Sequence, residues 1–236
     1  MPEKIKHIKD SLNNKLEKYK IKQGLGYINN STQELCSKMK ISVEWTAKNL
    51  YKAGVSANVA SLIGFAIGLL AINFLALNLY FYALLCVLLN RLFDSVDGAI
   101  ARKSKVTEFG VFLDATLDYV FSTGVIFGFA LANPQQNAVA AAFLLFAFAA
   151  SACAMLAYAM IAYKNKAFAR ISLDKSPFYL GGFAQGFETF LALVIMCLIP
   201  SWFMQIALIL GVLCLVKALS IMVTAYYNFV IMADKK

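Results

Sequence analysis

The sequence predicts an all-α integral membrane protein with six transmembrane helices and both termini in the cytoplasm. Of its residues, 61% are hydrophobic and 15% charged, whereas soluble domains have about 45–50% apolar and about 25% charged residues. The mean hydropathy is +0.67. Apolar runs close to the roughly 20 residues needed to cross a bilayer recur along the chain. They cover about 56–77, 79–101, 110–132, 138–163, 178–199 and 201–231.

The region before the first run, residues 1–53, is basic and separate from the membrane spans. Four apolar residues recur there at helical spacing between lysines: Ile5, Ile8, Leu12 and Leu16. This pattern predicts a basic amphipathic helix on the membrane surface, and a second amphipathic segment over about 32–52 leads into the first span. A solvated basic tail is the alternative for residues 1–30. A six-helix membrane domain over 54–232 and a short cytoplasmic tail over 233–236 complete the predicted organisation.

Charge along the chain predicts the orientation of the spans. Eleven lysines precede the first span. The links after the second and fourth spans and the C-terminal tail are also basic, whereas the other three links contain no lysine or arginine. By the positive-inside rule, both termini and both basic loops are cytoplasmic. Topology and attraction to anionic membrane lipids explain the net charge of +9, and no fold signature indicates a nucleic-acid partner.

Four aspartates lie inside the second and third apolar runs, at Asp94, Asp97, Asp114 and Asp118. A carboxylate in a membrane helix costs about 2.5–3.5 kcal/mol on insertion scales, so four together indicate a site that neutralises them. Residues three and four apart share one face of a helix. Seven residues separate Arg102 from Gly110, which predicts a short cytoplasmic turn and an antiparallel hairpin. The two acidic faces are therefore expected to converge near the cytosolic surface.

Converging carboxylates suit hard divalent ions, because magnesium, manganese and calcium take oxygen ligands. Two such ions can clamp the attacking and leaving oxygens of a phosphoryl transfer. Gly98 and Ala101 leave a groove for a flat ligand, and Arg102 offers a planar fork suited to phosphate oxygens. His7 is the only histidine, which argues against a histidine-rich iron, copper or zinc site. The five cysteines lack CxxC spacing and indicate no chemistry.

The aspartates belong to an eight-residue pattern that resembles the signature of the CDP-alcohol phosphotransferase (CDP-alcohol phosphatidyltransferase) family. The eight positions are Asp94, Asp97, Gly98, Ala101, Arg102, Gly110, Asp114 and Asp118. The commonest form of the signature has eight residues between the arginine and the second glycine, where this chain has seven. Asn58 and Ser61 resemble the polar positions of the family's Pro-Asn-x-x-Thr/Ser element, with Ala57 replacing the proline. The resemblance spans about 50–230 and looks like a bacterial inner-membrane branch of the family.

This resemblance implies a six-helix enzyme of phospholipid synthesis, expected as a homodimer in the bacterial inner membrane with its active site facing the cytosol. It would transfer a phosphatidyl group from CDP-diacylglycerol to an alcohol and release CMP, using two Mg²⁺ or Mn²⁺ ions. The implied metal ligands are Asp94, Asp97, Asp114 and Asp118. Asp118 would also be the general base for the acceptor hydroxyl. The residues implied for the CDP moiety are Gly98, Ala101, Arg102 and Asn58.

For the acceptor alcohol, a glycerol 3-phosphate-like molecule is favoured. The candidate pocket residues are Lys164, Lys166, Arg170, Glu188 and Lys217. The first three lie in a cytosolic basic loop, which a topology signal explains equally well. Ionisable residues inside membrane spans usually face a polar cavity or each other, so an ion pair is the alternative for Glu188 and Lys217. Asn90 and Arg91 are expected to line or brace the site.

Two other functions stay open from the residues alone. An intramembrane prenyltransferase also binds diphosphates through paired acidic motifs and magnesium, but those motifs lack the intervening glycine and Ala-Arg. A divalent-cation transporter would use the aspartates as its pathway. Transport normally requires access from both membrane faces, whereas the four aspartates cluster toward the cytosolic side.

Overall fold

The computed structural model describes residues 43–104, 107–164 and 187–231. Every regular element in these ranges is helical, which confirms the predicted all-α class. The chain divides between Val55 and Ser56 into two units. The described part of the first unit is helix α1, over residues 43–52. The predicted amphipathic helix near the N-terminus lies outside the described residues.

The described part of the second unit contains six α-helices. They are α2 (Ala57–Ala76), α3 (Tyr80–Lys103), α4 (Glu108–Ala132), α5 (Pro134–Lys164), α6 (Phe187–Leu198) and α7 (Phe203–Tyr226). A 3₁₀ turn over Pro200–Trp202 precedes α7, and a π-helical turn over Tyr227–Ile231 continues it. Side-chain caps begin two of the helices: the Val59 amide donates to Ser56 Oγ at the start of α2, and the Gly110 amide donates to Thr107 Oγ1 at the start of α4.

Within the described residues, four helical segments are long and apolar enough to cross a membrane, as expected of an integral membrane protein. They are Ala57–Ala76, Glu108–Ala132, Pro134–Ala162 and Pro200–Ile231. Helix α3 has 24 residues but carries the charges of Arg91, Asp94 and Asp97 in its interior. The described apolar part of α6, Glu188–Leu198, is shorter than a full span. The count of six spans and the orientation of the termini stay predictions.

Helix α2 is the element against which both site helices pack. Gly64 and Gly68 make the close approach possible: a Cβ at Gly64 would lie 2.6 Å from Phe93 Cβ of α3, and a Cβ at Gly68 would lie 2.6 Å from Phe121 Cδ2 of α4. Asn90 of α3 also donates a 3.1 Å hydrogen bond to the Gly64 carbonyl. The predicted hairpin therefore differs in one respect, because α3 and α4 pack mainly on α2 rather than on each other.

The other helices surround this three-helix unit. Helix α4 contacts α5, α5 packs along α7, and α6 contacts both α3 and α4. The apolar core joins these layers, with the rings of Phe129 and Phe203 stacked 4.7 Å apart between α4 and α7. The charged residues of α3 and α4 consequently lie between α2 and the surrounding helices α5, α6 and α7.

Candidate active site

Three of the four predicted aspartates converge between α3 and α4. Asp94, Asp97 and Asp114 each offer a carboxylate oxygen within 4.8 Å of the others. Asp97 is buried, with 5% of its surface exposed, whereas Asp94 is half-buried and Asp114 is exposed. Carboxylates this close repel one another unless a cation neutralises them, and such oxygens are the ligands that hard divalent ions prefer. The geometry therefore fits a divalent-metal centre.

Helix α2 supplies a donor rather than a carboxylate to this group. The Ser61 hydroxyl donates a 2.5 Å hydrogen bond to Asp97 Oδ2. This bond fixes one orientation of the most buried carboxylate and leaves its other oxygen free of that contact. Ser61 is one of the two polar positions of the sequence element that leads into α2.

Asp118, one turn beyond Asp114 on α4, faces the same space from outside the group of three. A small central cavity of about 20 Å³ is lined by all four aspartates. Arg91 links the two helices here, because its Nη1 lies 2.8 Å from Asp94 Oδ2 and 3.6 Å from Asp118 Oδ1. Arg91 and Asn90, which were predicted to line or brace the site, make these contacts with two of the aspartates and a hydrogen bond to α2, respectively.

A cavity of about 200 Å³, here called cavity A, lies beside Asp97 and Asp114 between α2, α3 and α4. Its lining includes Asn58, Gly98 and Ala101, three of the positions implied for the CDP moiety. The fourth, Arg102, is exposed, and its Nη1 lies 3.5 Å from where a Cβ on Gly98 would stand. Asn58, Gly98 and Ala101 therefore line one cavity beside the carboxylate cluster, and Arg102 lies next to Gly98.

Gly110 shapes the opposite wall of cavity A. A Cβ at this position would lie 3.1 Å from Asn58 Oδ1 and 3.1 Å from Thr107 Oγ1. A side chain here would require both Asn58 and Thr107 to shift by a few tenths of an ångström. The second glycine of the signature thus makes space for a polar side chain of α2.

A larger cavity of about 300 Å³, here called cavity B, lies on the other side of Asp118 between α3, α4, α5, α6 and α7. Its polar lining includes Arg91, Asp118, Ser122, Ser151, Thr189 and Lys217. Lys217 is only 7% exposed, and Glu188 lies close enough to stabilise its charge. Phe190 also lines cavity B, and the centre of its ring lies 5.7 Å from Arg91 Cζ.

The predicted acceptor residues lie in different parts of the chain, and only some of them are described by the structure. Lys217 lies in cavity B, and Glu188 stands half-buried at the start of α6, close enough to act on Lys217 electrostatically. Lys164 ends α5, and Lys166 and Arg170 lie outside the described residues. Three hydroxyl residues of cavity B, Ser122, Ser151 and Thr189, were not predicted. A single hydroxyl residue in an apolar helix does not by itself predict a binding site, because its side chain can also hydrogen-bond to the helix backbone.

The fold and these side chains define an integral membrane protein with a candidate divalent-metal centre between two cavities. The chain belongs to the CDP-alcohol phosphatidyltransferase family, whose model matches residues 55–229. It is accordingly a transferase of phospholipid biosynthesis, which confirms the family and the enzyme class that the aspartate signature predicted. Family membership also decides against the prenyltransferase and the cation transporter.

Two relatives illustrate the breadth of this family. Inner membrane protein YnjF of Escherichia coli (strain K12) is 47% identical over 165 residues, which cover 70% of this chain and 80% of that protein. Archaetidylinositol phosphate synthase of Pyrococcus horikoshii is 37% identical over 95 residues, which cover 40% of this chain and 50% of that enzyme.

A solved structure shares the fold. The crystal structure of Mycobacterium tuberculosis phosphatidylinositol phosphate synthase with CDP-DAG bound superposes with a TM-score of 0.56. The match covers 78% of this chain and 93% of that chain, at 18% sequence identity. At this identity the likeness shows a common fold alone.

Proposed function

We propose that the protein transfers a phosphatidyl group from CDP-diacylglycerol to the hydroxyl of a small polar alcohol and releases CMP. The position of Asp118 carries this proposal, because the same residue lines the central cavity of the aspartates and cavity B. Cavity A borders Asp97 and Asp114 of the same cluster. A donor in cavity A and an acceptor in cavity B would therefore meet at the carboxylates, as a direct transfer between two substrates requires.

Cavity A suits the CDP moiety of the donor. Gly98 and Ala101 present a wall without large side chains, so a flat base or ribose can approach the α3 backbone. Arg102, with its guanidinium over Gly98, offers a fork of donors to the diphosphate. Asn58 adds an amide at the opposite wall. The related fold that was solved with CDP-DAG bound supports this choice of donor.

The carboxylate cluster would hold the divalent cation, Mg²⁺ or Mn²⁺, through Asp94, Asp97 and Asp114, with Asp118 as a further ligand of a second ion. When bound, the metal supplies positive charge to the phosphoryl oxygens and to the departing CMP. The hydrogen bond from Ser61 holds Asp97 in a single orientation for this role. The mutual distances of the first three oxygens support the assignment.

Asp118 is the proposed general base. The acceptor hydroxyl in cavity B gives its proton to the Asp118 carboxylate, and its oxygen forms a bond to the lipid-side phosphorus of the donor. The bond between that phosphorus and the oxygen bridging to CMP breaks, and CMP leaves with the bridging oxygen. Arg102 balances charge on the diphosphate during this exchange, as donors aimed at developing charge do in phosphoryl transfer.

The favoured acceptor is a phosphorylated alcohol resembling glycerol 3-phosphate. Two cationic side chains, Arg91 and Lys217, line cavity B together with three hydroxyl residues. This combination can pair with a phosphate while hydrogen-bonding to the carbinol groups of a polyol. The basic loop with Lys164, Lys166 and Arg170 is proposed to attract such an acceptor from the cytosol.

The proposed setting is a bacterial inner membrane with six spans, both termini in the cytosol and the site facing the cytosol. Arg102 and Lys103 end α3 beside cavity A, and basic residues of this kind mark cytoplasmic loops. The E. coli relative is an inner membrane protein. A homodimer is proposed from the family resemblance alone.

The test is CMP release by detergent-purified protein supplied with CDP-diacylglycerol and Mg²⁺. Acceptors are added one at a time: glycerol 3-phosphate, serine, inositol, inositol phosphate, choline and phosphatidylglycerol. Release that depends on a phosphorylated acceptor, and that disappears in Asp114→Ala, would support the proposal. Release that depends on choline or serine instead would contradict the proposed acceptor class, and failure to bind a CDP-lipid would contradict the proposed donor.

A further inference from the structure

Arg91 belongs to the metal centre and to cavity B at the same time. It precedes Asp94 by one helical turn on α3, and its Nη1 contacts Asp94 at 2.8 Å and Asp118 at 3.6 Å. The same half-buried side chain lines cavity B, where it lies near the Phe190 ring. A single cation is therefore positioned between the carboxylates of the candidate metal centre and the space proposed for the acceptor.

The two roles of the guanidinium oppose each other. Asp94 pairs with Arg91 and is also one of the three carboxylates whose geometry fits a divalent ion. A positive charge beside these ligands repels an incoming dication, and the repulsion is strong where little water screens it. Conversely, a dication bound to the carboxylates takes up their negative charge and weakens their attraction for Arg91.

We propose that Arg91 is a tethered counter-ion shared by the metal centre and cavity B. Without metal, Arg91 pairs with Asp94 and Asp118; with metal bound, its guanidinium becomes available to the anionic group of an acceptor in cavity B. Metal binding consequently raises the affinity for the anion, and by thermodynamic linkage the anion raises the affinity for the metal by the same factor. Arg91 is thus a positioning residue, and this inference rests on the metal centre and acceptor cavity of the proposed function.

The first measurement is the Kd for Mn²⁺, determined by electron paramagnetic resonance in the absence of lipid donor and acceptor. In R91Q the Kd for Mn²⁺ should fall about tenfold, because a repelling charge beside the ligands is removed. R91K keeps the charge and should bind Mn²⁺ like the wild type. R91M provides a second neutral variant in case R91Q does not fold. A Kd that rises in the folded neutral variants would overturn the inference, since Arg91 would then be orienting the carboxylates for the metal.

The second measurement is the binding of glycerol 3-phosphate by calorimetry, with and without Mn²⁺ and without lipid donor. The wild type should bind this probe about tenfold more tightly with Mn²⁺, and R91Q should bind it equally in both conditions. K217Q is the matched control, because Lys217 lines cavity B from α7. It should weaken binding in both conditions and keep the tenfold ratio.

These outcomes separate the inference from the function on which it rests. A ratio that persists in R91Q would overturn the inference, because the anion would then be binding to the metal itself. If the wild type binds Mn²⁺ but binds glycerol 3-phosphate equally with and without Mn²⁺, only the inference is overturned. A wild type that does not bind Mn²⁺ would overturn the proposed metal centre, and the inference with it.

Discussion

The Ser61 hydroxyl of α2 lies 2.5 Å from Asp97 Oδ2 of α3, and this hydrogen bond ties a helix without carboxylates to the candidate metal centre. Asp97 is the most buried of the aspartates, so it has little access to water that could replace a lost donor. The sequence element at the start of α2 therefore serves two parts of the site. Asn58 faces cavity A, and Ser61 holds a carboxylate.

Replacing Ser61 by alanine should lower the activity of the enzyme when Mg²⁺ is limiting. A hydrogen bond to a charged group contributes about 1.5–3 kcal/mol, so we expect CMP release at limiting Mg²⁺ to fall roughly ten- to hundredfold. The measurement is a Mg²⁺ titration of CMP release. Ser61→Thr retains the hydroxyl and should retain most activity, and Ser95→Ala, which removes an exposed hydroxyl bonded to the Arg91 carbonyl, is a control on α3. Wild-type Mg²⁺ dependence in Ser61→Ala would contradict the role of this bond.

Replacing Gly98 by alanine should weaken donor binding without affecting stability. A Cβ at Gly98 meets Arg102 Nη1 at 3.5 Å, which is ordinary contact distance, so the fold can accept it. The added methyl group would stand in cavity A, where the CDP moiety is proposed to lie. The KM for CDP-diacylglycerol should rise about tenfold, the equivalent of about 1.4 kcal/mol. An unchanged KM would argue that the nucleotide does not contact this part of α3.

Replacing Gly64 by alanine should, in contrast, destabilise the protein. A Cβ there would lie 2.6 Å from Phe93 Cβ, an atom next to the backbone that cannot move without moving α3. Overpacking of this kind costs about 1–3 kcal/mol. Thermal unfolding in detergent should show a lower midpoint for Gly64→Ala and an unchanged midpoint for Gly98→Ala, which is the matched substitution on the facing helix. Equal midpoints would show that α2 and α3 separate more readily than the structure indicates.

Two isosteric substitutions should separate chemistry from binding. Asp118→Asn removes the proposed base, so turnover should fall by at least about a hundredfold while CDP-lipid binding largely survives. Asp94→Asn should instead impair metal-dependent CDP-lipid binding itself, because Asp94 belongs to the converging group of three. Turnover measured by CMP release and donor binding measured by calorimetry distinguish the two. Normal turnover in either variant would contradict the role assigned to that residue.

The sequence predicts the carboxylate cluster well, because local helical spacing alone places Asp94 with Asp97 and Asp114 with Asp118 on shared faces. Lys217 could be predicted for the same reason that the aspartates could, since an ionisable residue in an apolar run requires a polar surrounding. Cavity B as a whole could not be predicted. Its wall combines residues of five helices whose relative positions depend on long-range packing.

The position of α2 was also beyond prediction. Helical spacing indicates that α3 and α4 form a hairpin, but it does not show which third helix they share. That choice depends on the fit of Gly64 against Phe93 and of Gly68 against Phe121, two contacts between residues distant in sequence. The start of α5 at Pro134 rather than near residue 138 has a local cause, because proline is well accommodated in the first turn of a helix.

The charges inside α3 have a consequence for how the protein is made. A nascent chain that emerges only as far as Lys103 presents the translocon with Arg91, Asp94 and Asp97 in one helix, each a residue type that costs about 2.5–3.5 kcal/mol at the centre of a bilayer. Within that fragment, Ser61 and the Gly64 carbonyl of α2 already satisfy Asp97 and Asn90 of α3. We therefore expect α2 to act as an intramolecular chaperone that accompanies α3 into the bilayer during synthesis, before the helix that carries Asp114 and Asp118 has left the ribosome.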